Sequence, residues 1–528
     1  VKTRLPILVV VASLLTIGLI VDRSDQHDRE RDALSAATAT TLDPTAVLPI
    51  AGAPSALGSS WYCAGGTAQA KGVADHTVVI ANPTDRDAQG TLTVFPGVVQ
   101  PKPPGAAEGE ASSSSSSSTT STTAKPVHIP KPVAKAFTIG PYRRVSFRLG
   151  DVVKAPLASA LVEAQGGTIT VEHQVIGEDG RDAAPCASSP SSEWHFAWGV
   201  TRRDAREMLV FFNPFPDDAT IDVFFSTEQG AREPVRFHGF VVPARSVIGV
   251  DVGDDVTYRE RVSASVRART GRVIVDRIQS YDGSQGAQGL TVTLGTPQPA
   301  ESWMYPDGAI GSGIIERYVI YNPGTEPAEA ELQLSLEDPA KNGTPEPFEI
   351  TVGPRGTKVL TINDDKRIPK NVAHSGIVRS LNGVPVVAER VLFAVEPAKR
   401  HGISTTPGSP LGAEAWVFAV GSANDTNDEY LTILNLADKP ARVSVTALAN
   451  GQRLAVADLQ DVEIPASARL SIRVGEHVQR NDLALVVESN EPIVAERSLY
   501  RVSGVGMSAA IGIPLRIGLF VPPPFKAG

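Results

Sequence analysis

The sequence predicts an all-β chain: four tandem immunoglobulin- or fibronectin-like β-sandwich repeats following one N-terminal transmembrane helix. Three observations carry this expectation. A tryptophan recurs at Trp61, Trp194, Trp303 and Trp416. Each is followed by the same series of short apolar strands and turns, and a single long uncharged run stands at the N-terminus.

The repeat is legible strand by strand. After each tryptophan an apolar strand ends on an asparagine turn: Val78–Pro83, Leu209–Pro214, Tyr318–Pro323 and Leu431–Leu436. An alternating segment follows at Thr91–Phe95, Ile221–Phe225, Ala330–Leu334 and Arg442–Val445, the period-2 pattern of a half-buried strand. A proline-basic turn comes next at Pro141–Arg143, Pro243–Arg245, Pro354–Gly356 and Pro465–Arg469. Each unit is expected to close with a hairpin, clearest at Ile377–Phe393 and Leu483–Tyr500, which share Val-Ala-Glu-Arg at 387–390 and 494–497. Trp194 to Trp303 is 109 residues and Trp303 to Trp416 is 113. That period exceeds solenoid and propeller repeats and suits a sandwich of about seven strands per ~100 residues.

At the N-terminus, Lys2 and Arg4 precede the uncharged run Leu5–Val21, which stops at Asp22-Arg23. As a helix the run would span about 25 Å, near the lower limit for a bilayer. It is longer than a signal-peptide core and lacks a small-residue site close behind, so an uncleaved signal-anchor is expected. Arg23, Arg29 and Arg31 lie on the far side, so the positive-inside count does not fix orientation. The expected organisation is a cytoplasmic stub and anchor at 1–21, a stalk at 22–55, and repeats at 56–190, 191–299, 300–412 and 413–528. A Ser/Thr-rich loop at 101–126 interrupts the first repeat.

Composition narrows the chemistry. Of 528 residues, 58 are acidic and 49 basic, which argues against a nucleic-acid partner because phosphate neutralisation needs a basic face. The two cysteines, Cys63 and Cys186, bracket the first repeat and are expected to form one disulfide in an oxidising compartment. The nine histidines, His27, His76, His128 and His173 among them, form no metal-ligand pattern. No nucleophile elbow, phosphate loop or dinucleotide fingerprint occurs, so no catalytic, cofactor-binding or metal-ligating residues are assigned.

Four acid–base dipeptides remain: Glu172/His173, Asp276/Arg277, Glu389/Arg390 and Glu496/Arg497. Neighbouring strand residues point to opposite faces, so the two members of one pair cannot act together on a substrate. They are expected to bridge across strands or to bond turns. The repeat tryptophans are expected to be core.

The segment Ser60-Trp61-Tyr62-Cys63-Ala64-Gly65-Gly66, with Cys186–Pro190, Trp194-His195-Phe196 and the Val-Ala-Glu-Arg strands, resembles a family of actinobacterial envelope proteins catalogued as a domain of unknown function. The resemblance implies a high-GC Gram-positive origin and a cell-envelope location, and it carries no site residues. The sequence thus points to a non-enzymatic, membrane-anchored structural or interaction protein. Its repeats lie outside the membrane, with an envelope protein or a glycan as partner. The alternative is a glycan-binding module using Trp198, Tyr281 and Tyr305 as exposed aromatics; a remote alternative is a hydrolase whose site is assembled from loops.

Overall fold

The computed structural model describes residues 46–69, 71–102, 131–166 and 168–523. The described chain is nearly all β. Repeat one runs β1 (Gly58–Cys63), β2 (Asp75–Asn82), β3 (Ala88–Val99), β4 (Val133–Ile139), β5 (Arg143–Arg148), β6 (Leu157–Gln165), β7 (Thr170–Gly177) and β8 (Gly180–Pro185). Repeat two runs β9 (Glu193–Phe196), β10 (Ala205–Asn213), β11 (Ala219–Thr227), β12 (Gly230–Arg232), β13 (Phe240–Val242), β14 (Ser246–Asp251), β15 (Val262–Thr270), β16 (Ile274–Asp282) and β17 (Gln288–Leu294). Repeat three runs β18 (Ser302–Tyr305), β19 (Ile314–Tyr321), β20 (Ala328–Leu336), β21 (Phe348–Val352), β22 (Thr357–Thr361), β23 (His374–Ser380), β24 (Val387–Ala394) and β25 (Gly402–Pro407). Repeat four runs β26 (Ala413–Phe418), β27 (Asn427–Asn435), β28 (Ala441–Ala449), β29 (Gln452–Ala455), β30 (Val462–Ile464), β31 (Arg469–Arg473), β32 (Ala484–Arg501), β33 (Met507–Ile511) and β34 (Ile513–Pro514).

Each repeat has one pairing scheme. In repeat three, β18-β23-β20-β21 forms one sheet and β22-β19-β24-β25 the other. Repeat one matches it with β1-β6-β3-β4 and β5-β2-β7-β8. In repeat four, β32 is long enough to serve both sheets, pairing with β26 and β28 early and with β27 and β33 late. The segments expected as closing hairpins are therefore not hairpins. β23 and β24 lie in different sheets, so Ile377–Phe393 crosses the sandwich, and a crossover between two buried strands has the same apolar-turn-apolar pattern as a hairpin.

The turns repeat because one side chain builds them. Asn82, Asn213, Asn322 and Asn435 are buried, and each amide donates to main-chain carbonyls of the following loop and of a neighbouring strand end. Asn322 Nδ2, for example, donates to the Glu326 and Val352 carbonyls at 2.7 and 3.1 Å, while its Oδ1 accepts from Gly324 N–H at 2.9 Å. This satisfies backbone groups that a buried turn would otherwise strand. The proline-basic turns also share a conformation: Tyr142, Arg245, Arg355 and Ser467 all have φ between 49° and 55°.

All four repeat tryptophans are buried between the two sheets, and Trp194, Trp303 and Trp416 donate their indole N–H to the carbonyls of Val273, Val386 and Ile493 at 2.8–3.0 Å. Val273 and Val386 stand just before β16 and β24, and Ile493 lies within β32 three residues ahead of Glu496, so the tryptophan ties the two sheets together. Cys63 and Cys186 are bonded to each other, closing a loop of 123 residues around repeat one.

The repeats are not independent beads. From residue 46 onward the described residues form a single compact unit. One strand near the end of each repeat joins a closed cycle of contacts, β8 to β17, β17 to β25, β25 to β33, and β33 back to β8. Repeats one and two are further joined by a parallel bridge of β3 to β14, where Val98 and Val99 lie opposite Ile248 and Gly249.

The end of the expected stalk also belongs to this body. Val47, Ile50 and Ala51 are buried; Ile50 N–H donates to Ser188 Oγ and Ala51 N–H to the Pro514 carbonyl, both at 3.1 Å. An apolar run beside a seam between repeats one and four gains more by burial than as a solvated spacer. Among the described residues no helix is long and apolar enough to cross a membrane. The expected anchor at 1–21 lies outside the described residues, as does most of the Ser/Thr-rich loop. The strands flanking that loop, β3 and β4, pair with each other.

Replacing Cys63 and Cys186 by serine should lower stability by about 2–5 kcal/mol, because the closed loop no longer restricts the unfolded chain. Urea midpoints of the oxidised protein and the double variant measure this, and equal midpoints would refute a stabilising bridge.

Candidate functional site

The four acid–base dipeptides lie at equivalent positions on β7, β16, β24 and β32, one per repeat. Strand alternation sends the two members of each pair to opposite faces. The base turns into its own repeat, where Arg277, Arg390 and Arg497 lie over the rings of Phe196, Tyr305 and Phe418 at 5.4, 5.9 and 5.7 Å. The acid turns the other way, into the neighbouring repeat.

There it meets that neighbour's base. Arg277 of repeat two donates from Nη2 to Glu389 Oε2 of repeat three at 2.8 Å. Arg390 of repeat three pairs with Glu496 of repeat four. Arg497 of repeat four pairs with Glu172 of repeat one at 2.9 Å, closing the ring. At the fourth joint the residue types change: His173 of repeat one stands 3.5 Å from Asp276 of repeat two. Every acid also accepts a main-chain N–H from the repeat it enters: Ala197 to Glu389 (2.8 Å), Asp307 to Glu496 (3.1 Å), Val420 to Glu172 (2.6 Å), and Ala64 and Gly65 to Asp276 (3.1 and 2.6 Å). All eight side chains are buried. The charged pairs thus bridge between repeats and not across neighbouring strands, while the bonds from the acids to main-chain N–H groups just past the strand ends agree with the expected bonding to turns.

A third buried group backs each base: His76, Glu207, Glu316 and Glu429, all from the second strand of the repeat. The main chain must come very close to it. Five residues after each of the four repeat tryptophans stands a glycine, Gly66, Gly199, Gly308 or Gly421, and a methyl group there would collide with the buried acid or imidazole behind it. The Trp-x-x-x-x-Gly spacing was the signal in the sequence that could have exposed this arrangement.

Burial displaces the proton affinity of several buried groups at and near the joints. Burial pushes the Glu207 carboxyl up to about 8, with the Arg277 charge opposing the rise. Burial likewise lifts Glu429 and Asp276 to about 7, and Asp182 on β8 to about 7. It lowers His76 to about 4 and holds His173 well below its ordinary range, where His76 adds to the effect. A neutral imidazole at the joint between repeats one and two suits a histidine that hydrogen-bonds His76 at 3.0 Å instead of carrying charge.

What the arrangement does chemically is hold repeats together. Breaking one partner of a buried ion pair leaves an uncompensated charge, which costs several kcal/mol, so each joint accepts only a neighbour that brings the complementary group. Trp198, Tyr281 and Tyr305 are 2, 1 and 0% exposed, so they do not present the open aromatic surface a glycan groove requires. Trp198 and Tyr281 instead pack between repeats two and three. Among the described residues no group of three or more His, Cys, Asp or Glu side chains is placed to hold a metal ion. A small cavity of about 60 Å³ lies where the ends of β8, β17, β25 and β33 converge, and Val47–Pro49 lines it too.

Residues 162–349 match the model of a family of unknown function, DUF5719. The matched span begins within β6 of repeat one and ends within β21 of repeat three, so it crosses two repeat boundaries. No curated protein sequence matches the chain. Among solved structures, the chain is similar to Thermotoga maritima 1070 (28% identity, 21% of this chain and 94% of that one, TM-score 0.19). It is also similar to the Anabaena sensory rhodopsin transducer (26% identity, 18% and 83%, TM-score 0.15). A third match is Streptomyces avermitilis α-L-rhamnosidase complexed with L-rhamnose (10% identity, 65% and 50%, TM-score 0.10).

Truncating Glu389 to alanine should cost about 3–5 kcal/mol, because it strands Arg277 and the Ala197 N–H together. Adding Arg277→Met to Glu389→Met should cost less than the sum of the two single changes. A double-mutant cycle from denaturant midpoints reads the coupling, and strict additivity would show that the pair does not join the repeats. The raised carboxyls also predict a pH dependence. Folded Glu207 keeps its proton up to about 8 while the unfolded chain loses it near 4.5, so the folded state binds more protons across that window. Its contribution is complete below pH 4.5 and is lost as pH rises through 8. Asp182, Asp276 and Glu429 act in the same direction up to about 7. His76 opposes them only below 6.5, where the unfolded chain gains a proton that the folded one refuses. Thermal stability should therefore fall between about pH 6.5 and 8.5, and Glu207→Gln should flatten the upper half of that fall.

Proposed function

We propose that this chain is a non-enzymatic structural or interaction protein of the cell envelope. In this reading the N-terminal run Leu5–Val21 anchors it in the membrane and the closed ring of repeats lies on the outer side, where it engages another envelope protein. The observation that carries the reading is the closed cycle of buried inter-repeat pairs. The side chains best suited to acid–base chemistry are internal joints, which favours a rigid platform over a reactive cleft.

Two further observations support the reading. The Cys63–Cys186 bond is of a kind that persists in oxidising compartments. Val47–Ala51 are built into the seam between repeats one and four, so the body of repeats is fixed from its first described residues onward. The strand pairing also supports an immunoglobulin- or fibronectin-like reading of each repeat. If the first strand takes the place of strand B, the pairings reproduce B-E-D and C-F-G, with two extra strands lengthening the sheets. The glycan-binding reading is disfavoured, because its three aromatics are buried.

Fractionation of intact cells tests the proposal. The full chain should sediment with membranes and resist an alkaline wash, a variant lacking residues 1–21 should not, and external protease should remove the repeats. In-cell cross-linking should then join the repeats to a protein partner. Recovery of the full chain in the cytosol, protected from external protease, would overturn the reading.

A further inference from the structure

The four joints are built from equivalent residues, so differences between them are informative. Between repeats two and three the outer part of the joint is filled. Trp198 and Tyr281 of repeat two hydrogen-bond at 3.3 Å and pack edge-on against Phe393 of repeat three at 6.4 and 5.9 Å. The Arg317 guanidinium caps this cluster, 5.7 Å over Trp198 and 5.1 Å over Phe393.

Between repeats three and four the same positions carry different residues. Counting from the repeat tryptophan and the paired arginine, Trp198 corresponds to Asp307 and Tyr281 to Ala394, while Phe393 and Arg317 correspond to Tyr500 and Tyr430. An indole and a phenol are thus missing from one wall, and a cleft of about 510 Å³ stands at this joint. That is within the size range of small-molecule sites, which favour domain interfaces. Its floor is apolar: Leu392, Ala394, Ala398 and Met507 form one buried cluster with Ile314 and Tyr500 packed on it. Arg400 lies 4.2 Å over the Tyr500 ring and 5.0 Å over Tyr430, held there by Asp428 and the Tyr430 hydroxyl. Lys399 stands exposed at the mouth. The one acid on the wall, Asp307, already accepts from Arg469 at 3.0 Å and Ser498 at 3.1 Å.

We propose that this cleft is a binding site for a small planar aromatic acid. The ring would occupy the volume that Trp198 and Tyr281 fill at the neighbouring joint, against the apolar floor and the Tyr500 edge. The carboxylate would face Lys399 and the open side of Arg400. An aliphatic acid would satisfy the cations but would leave the flat wall unfilled, so the site should discriminate between the two.

Calorimetric titration of the full chain with indole-3-acetate tests this, and a Kd of about 1 mM or tighter is expected for a ligand of that size. Ala394→Tyr, which restores the residue of repeat two, should weaken binding at least about tenfold. Lys399→Gln, a surface change that leaves the fold intact, should weaken indole-3-acetate several-fold and leave neutral indole-3-acetamide unaffected. Hexanoate should bind more weakly than indole-3-acetate. No heat of binding at millimolar indole-3-acetate overturns the proposal, as does unchanged affinity in a folded Ala394→Tyr protein. Equal loss of acid and amide in Lys399→Gln overturns the acid requirement, and tighter binding of hexanoate overturns the aromatic one.

Discussion

A charge taken out of water must find a partner, and for Arg277, Arg390 and Arg497 the carboxylate they hydrogen-bond comes from the next repeat. Arg277, Arg390 and Arg497 are each buried inside their own sandwich, and none is paired there with the acid beside it in sequence. The partner arrives from outside, as Glu389, Glu496 or Glu172. Each acid in turn draws main-chain N–H groups from the strand end it enters. The result couples secondary structure to quaternary-like assembly within one chain: the strand that completes one sandwich also supplies the plug for its neighbour.

This dependence explains why four two-sheet units of about 110 residues behave as one body. Buried ion pairs contribute little net stability compared with apolar packing of the same volume, but they penalise mismatched neighbours heavily. Their main effect is selection of arrangement. The joint between repeats one and two stands apart, with His173 and Asp276 in place of arginine and glutamate. A neutral histidine backed by His76 needs no full counter-charge, so this joint differs electrostatically from the other three. The closure of β33 on β8 then follows from the same rule, since Arg497 and Glu172 would otherwise be the two unmatched ends of an open array.

Much of the local architecture was legible in the sequence. The tryptophans mark the first strand of every repeat, and the asparagine turns and proline-basic turns fall where the spacing put them. The disulfide joins the two cysteines that bracket repeat one. The errors have a common origin. Ile377–Phe393 reads as a hairpin because periodicity records which residues are apolar, not which sheet they enter. Val47–Ala51 reads as stalk because an isolated five-residue apolar run has no period of its own. Trp198 and Tyr281 read as candidate ligand platforms because an aromatic side chain at a sandwich end looks the same in sequence whether it faces water or a neighbouring repeat.

What the sequence determined alone is therefore the unit: its length, strand order along the chain, turns and core tryptophan, each set by interactions reaching only a few residues or one strand. What the tertiary structure decided is how the units meet. Glu172 and Arg497 are 325 residues apart, and no periodicity or local propensity links them. Only once two sandwiches have formed do their acid and base stand within reach, and only then does desolvation make the match compulsory. The cleft at the third joint has the same origin. Asp307 and Ala394 are unremarkable as residues and become informative only beside the Trp198 and Tyr281 that fill the equivalent space one repeat earlier.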